Sequence, residues 1–126
     1  MPFVCPYCQQ KSLEITHAIN VSPDAAYDEV QFQILTCQQC DMRTFGAYQE
    51  SRRGRLDNEV IHHDGFQISD PGMDAVVKMI TSCSTPYDHT CTCISHQKMS
   101  SGPDTWARMK ENGIIIQRMF QLIYQE

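Results

Sequence analysis

The chain has 126 residues, 41% of them hydrophobic and 20% charged, with 10 Lys+Arg against 15 Asp+Glu and a formal net charge of −5. That composition excludes wholesale disorder, and no apolar run approaches the ~18 residues that a membrane span requires. The acid excess counts against unaided nucleic-acid binding, whose affinity comes mainly from Lys and Arg on phosphates.

The sequence starts Met1-Pro2-Phe3-Val4-Cys5, with neither a basic region nor a signal-like apolar stretch, and a cytoplasmic location is expected. Seven cysteines in a reducing compartment point to metal ligation rather than disulfides, and an odd number cannot pair off completely.

In chain order, Leu13 to Ile19 alternates apolar and polar residues, as a half-buried strand does, and Val21-Ser22-Pro23-Asp24 is a turn signal. Val30 to Ile34 alternates again and leads into Cys37; Arg43 to Tyr48 is a third strand candidate. Residues 1–50 therefore read as a three-stranded antiparallel lobe. Glu50 to Asn58 mixes charges of both signs around Gly54 and offers little core material, so residues 51–59 read as a connecting loop. Residues 60–126 form a second, α+β lobe. Val60 to Ile68 reads as a hairpin with an Asp64-Gly65 turn. Asp70-Pro71 reads as an N-cap and first helical residue, opening a helix to about Ser82 with Val76, Val77 and Ile80 as its apolar stripe. Ser84 to Ser101 reads as irregular and cysteine-bearing, and Pro103 to Asn112 as a short helix through Trp106 and Met109. The tail from Ile114 to Gln125 fits either an amphipathic helix or a strand. Its Ile-Ile-Ile start after Gly113 favours a strand, with the 60–69 segment as its neighbour.

Cys5-Pro6-Tyr7-Cys8 and Cys37-Gln38-Gln39-Cys40 are two C-x-x-C pairs with 28 residues between them. A tight turn directs both sulfurs of such a pair to one point, and two pairs supply the four soft anionic ligands that tetrahedral Zn²⁺ takes. Gln9 and Asp41 stand where the iron site of a rubredoxin commonly has glycine. On these cysteines and the strand-like segments around them, residues 1–50 resemble the zinc-ribbon fold group. The resemblance implies a zinc-stapled three-stranded lobe and a structural metal; it implies little about activity.

Cys83, Cys91 and Cys93 lie with His89 and His96 within 14 residues. Three cysteines and one histidine make a second four-ligand shell, and seven cysteines plus His96 then leave no thiol over. His96 is the favoured fourth ligand because it can fold back from Cys93. His89 is the alternative, although Cys91 follows it closely. Two zinc ions would take the charge from −5 to about −8, because a filled Cys₄ site contributes −2 and a Cys₃His site −1.

His62-His63-Asp64, with two cysteine pairs, is similar to zinc-bearing HNH-type nucleases. Both pairs precede the string here, and no suitably spaced Asn and His follow, so a turn is the favoured reading. Arg52, Arg53 and Arg55 form the basic cluster through which nucleic acid could be touched, partly neutralised by Glu50, Asp57 and Glu59. The expected protein is thus an α+β chain with an N-terminal zinc ribbon and a second zinc-stapled loop. It would serve as a non-enzymatic interaction module, adaptor or subunit for a protein partner. The alternatives are a nucleic-acid-binding or transcription-linked regulator and, behind it, a metal-dependent hydrolase or nuclease.

Overall fold

A computed structural model describes residues 2–22, 28–51, 60–99 and 116–122. The chain is α+β. Strands β1 (Phe3–Val4), β2 (Lys11–Val21), β3 (Glu29–Cys37), β4 (Arg43–Ser51), β5 (Val60–Gln67) and β6 (Arg118–Gln121) form one six-stranded antiparallel sheet in sequential order. Helices α1 (Asp70–Thr81) and α2 (Ile94–Met99) follow β5. Among the described residues no helix is long and apolar enough to cross a membrane.

The strands expected from alternation are present and longer than expected. β5, from the segment expected in the second lobe, pairs directly on β4 in the same sheet. The tail strand pairs with β5, through Gly65↔Phe120 and Phe66↔Met119. Arg52, Arg53, Arg55 and the expected helix around Trp106 lie outside the described residues.

One face of the sheet carries Ile19, Val21, Val30, Phe32, Ile34, Phe45, Ala47 and Phe66, and α1 covers it with Met73, Val76 and Ile80. Phe32 and Phe45 stack with ring centroids 5.5 Å apart. Arg43 ties the helix to the sheet, its guanidinium 2.9 Å from Asp74 and 3.9 Å from Asp70. The N-cap is Ser69 rather than Asp70: the Ser69 hydroxyl accepts the Gly72 N–H at 3.1 Å, and Asp70 lies in the first turn, where a carboxylate suits the positive end of the helix.

The opposite face holds a smaller cluster of Cys5, Leu13, Leu35, Cys37 and Leu122. Leu13 and Ile19 both have odd numbers yet point to opposite faces. A bulge explains this: Ile15 pairs with Leu35 and His17 with Ile34, so Thr16 is an extra residue that reverses the phase of β2. Its hydroxyl bonds the Ile34 carbonyl at 3.2 Å.

This second face is concave. Four strand spacings of ~4.8 Å would put β1 about 19 Å from β5 in a flat sheet, yet the Phe3 and His63 rings meet edge-on at 5.0 Å. Gly46 and Gly65 are register partners on that face, and neither has room for a side chain. A Cβ on Gly46 would lie 2.6 Å from Leu35 Cδ1, and one on Gly65 would lie 2.5 Å from Phe120 Cζ. Gly65 is thus not a turn residue. β5 runs straight through Asp64-Gly65, and the glycine makes space for the ring of Phe120 across it. Gly65→Ala should cost about 1–3 kcal/mol in chemical denaturation, and the cost should shrink in a Phe120→Ala background. An unchanged cost there would remove the ring as its cause.

Candidate metal centres

The first centre is built from two copies of one turn. Cys5 donates its N–H to the Gln10 carbonyl at 2.9 Å, and the Gln9 N–H returns to the Cys5 carbonyl at 2.9 Å. Thirty-two residues on, Cys37 donates to Met42 at 2.8 Å and Asp41 to Cys37 at 3.0 Å. In both, the residue after the second cysteine is left-handed, Gln9 at φ 63° and Asp41 at φ 62°. Glycine adopts that conformation without strain; here glutamine and aspartate carry it, which hides the turn from a search for glycine.

The two turns meet. Cys5 and Cys40 sulfurs are 3.7 Å apart, Cys8 and Cys37 sulfurs 3.6 Å, and all four lie within 4.8 Å of one another. A tetrahedron with ~2.3 Å metal–sulfur arms has edges of about 3.8 Å. A disulfide would need about 2.05 Å, and all seven cysteines are free. The four thiolates therefore fit a tetrahedral metal ion.

Burial works against ionising Cys37, but the Ser12 hydroxyl and the Cys40 and Gln39 amides outweigh it and bring the thiol down to about 6. For Cys40, exposed as a residue, the Met42 amide favours the thiolate, yet partial desolvation of its sulfur beside the cluster and the neighbouring Cys37, Cys5 and Cys8 together push it up to about 12. Burial also raises Cys5, against the pull of the Cys8 and Tyr7 amides. Four thiols this close do not all ionise unaided; a divalent cation held there would supply the missing positive charge and displace the protons.

The second centre joins Cys83, just past the end of α1, to a loop and to the start of α2. Cys83 and Cys91 sulfurs are 3.8 Å apart, and His96 Nδ1 lies 3.4 Å from Cys83 Sγ and 3.2 Å from Cys93 Sγ. The four ligand atoms again fall within 4.8 Å of one another. Short helix α2 occupies part of the stretch expected to be irregular. Cys93 caps it, its sulfur accepting the His96 N–H at 3.4 Å and its carbonyl the Gln97 N–H at 3.0 Å. The C-x-x-H spacing thus places cap and ligand on one helical turn.

His96 is 1% exposed, and its Nε2 lies 2.9 Å from the backbone carbonyl of Asn20. A carbonyl only accepts, so the proton sits on Nε2 and the Nδ1 lone pair faces the cysteines, as a metal ligand requires. His89 stands outside the cluster; it is exposed and contributes its backbone carbonyl to Ser22 at 3.1 Å. The Thr85 hydroxyl and then the Cys93 amide lower Cys91, while burial raises Cys83.

Two residues that the sequence did not single out organise these centres. Ser12 places its hydroxyl 3.1 Å from Cys37 Sγ and 3.8 Å from Cys8 Sγ. Asn20 fastens the second loop to β2: its N–H bonds the Pro86 carbonyl at 2.8 Å, its side chain donates to the Tyr87 carbonyl at 3.0 Å, and its own carbonyl takes His96. From the Asn20 side-chain oxygen a chain of amides crosses the concave face. Gln31 donates to Asn20 at 2.8 Å, Gln33 to Gln31 at 2.7 Å, and His63 Nε2 meets Gln33 Oε1 at 2.8 Å. His63 is also in edge contact with the ring of Tyr48, and burial lowers its pKa, partly offset by Asp64. It ends this chain of side-chain hydrogen bonds. His62 is exposed on the same strand, and the structure places neither histidine in a metal cluster. No protein-family model matches the chain, and no curated protein or solved structure matches it.

Proposed function

We propose that the chain is a protein-interaction module, an adaptor or a subunit of a larger assembly, held by two structural zinc ions and without catalytic chemistry of its own. The observation that carries this reading is closure. Each cluster offers four protein ligand atoms within 4.8 Å of one another, a full tetrahedral shell, whereas a catalytic zinc keeps a position open for water. Seven thiolates and one imidazole form a soft donor set that suits zinc. Residues 3–51, with two equivalent cysteine turns, read as an elaborated zinc ribbon in which a fourth strand, β4, extends the usual three. Free thiols suit a reducing compartment, and we place the protein in the cytoplasm.

The surface supports a protein partner. Tyr87 is 67% exposed and Ile94 72%, both in the second metal loop and its helix. The charge of about −8 with both zincs bound favours such a partner over a nucleic acid. Native mass spectrometry with an elemental assay tests the reading: two zinc ions per chain and no metal-bound water are expected. One ion per chain, or hydrolytic activity lost on His63→Ala, would overturn it.

A further inference from the structure

The four sulfurs of the first centre are not equivalent. Cys5 and Cys37 are fully buried and pack with Leu13, Leu35 and Leu122; Cys8 is half-buried against that cluster. Cys40 is exposed and lies outside it. Hydrogen bonds widen the difference. Cys37 receives the Ser12 hydroxyl at 3.1 Å and the Gln39 and Cys40 amides at 3.4 Å each, whereas Cys40 receives the amide of Met42. Ser12 is itself 8% exposed, and its backbone carbonyl takes the Gln38 N–H at 2.8 Å, which locks it beside the second turn.

We propose that the first centre exchanges its metal ion through Cys40, with Cys37 as the retained ligand held by the positioning residue Ser12, and that the exchanging ligand is a small monothiol. The proposal rests on the reading that four thiolates hold a zinc ion there. Among the described residues Cys40 is the one exposed ligand of the four, Cys8 being half-buried and Cys5 and Cys37 packed against the leucines, so an incoming thiol approaches on the Cys40 side. Its sulfur bonds the metal as the bond to Cys40 breaks, and the proton it gives up passes to the Cys40 sulfur. No electrons are transferred. Hydrogen bonds to a thiolate lower its nucleophilicity and hold it in place, so Cys37 is the last ligand to leave. The centre can thus pass its ion to a thiol acceptor while the buried part of the ligand set keeps its shape.

The test is a short pulse of iodoacetamide on the zinc-loaded 126-residue chain, with and without reduced glutathione, followed by peptide mass mapping. The native mass of the same sample reports the metal. Cys40 should be labelled about tenfold or more faster than Cys37, and glutathione should widen the gap. Ser12→Ala should raise Cys37 labelling several-fold to about tenfold, the worth of one hydrogen bond to a charged acceptor. It should also move the sulfur-to-metal charge-transfer band of the cobalt-loaded protein to lower energy, and Ser12→Thr should restore both. Equal labelling of Cys40 and Cys37 in loaded wild-type protein overturns this proposal alone. A sample with no bound metal overturns the zinc-held reading and the proposal with it.

Discussion

Cys37→Ser should empty the first centre while the second stays filled, so that native mass spectrometry shows one metal ion per chain in place of two. The expected loss of stability is about 5 kcal/mol or more, since structural zinc contributes ~10–16 kcal/mol against a typical total of ~5–15 kcal/mol. The effect is large because Cys37 serves in several places. It ends β3, pairs across to Leu13, belongs to the second hydrophobic cluster and takes the Ser12 hydroxyl. Hydrogen exchange should show β1 and the start of β2 losing protection, with α1 and the middle of β3 and β4 retaining it, because those pack in the larger cluster on the other face. Two metal ions in the variant, or uniform loss of protection, would contradict this.

His96→Ala should produce the complementary result. The second metal ion is lost, the loop from Cys83 to Cys93 becomes protease-sensitive, and the first centre stays loaded. A buried imidazole and a four-ligand shell disappear together, so a loss of about 3–5 kcal/mol beyond the metal's own contribution is expected. Two controls separate the roles of the ring. His89→Ala should leave two ions bound, because His89 lies outside the cluster. His96→Cys should restore four ligands but not the 2.9 Å bond to the Asn20 carbonyl, leaving a deficit of about 1 kcal/mol. If His89→Ala instead loses the ion, the ligand assignment is wrong.

The local elements were legible for a physical reason. Strand alternation and the α1 stripe are short-range patterns, and the same residues that create them face the core. The C-x-x-C pairs were equally plain, because two sulfurs three residues apart on a turn point one way whatever surrounds them. Asp64-Gly65 misled because a glycine has two uses, to turn the chain or to make room. The choice between them depends on Phe120, 55 residues away and placed opposite only by the sheet. Asp70 misled more mildly, because Ser69 and Asp70 are both good caps and Pro71 is compatible with either.

By itself, the sequence determined the donor inventory: seven thiols and a histidine, grouped four and four, in a chain with one set of alternating strands and one amphipathic helix. Ligand spacing is a property of the chain. Tertiary structure decided the rest. The Thr16 bulge, the curl that brings Phe3 to His63, the choice of His96 through the Asn20 carbonyl, and the burial of Ser12 beside Cys37 all depend on partners far apart in sequence. Such contacts leave no periodic trace, because each is a single meeting between two segments whose positions the whole sheet sets.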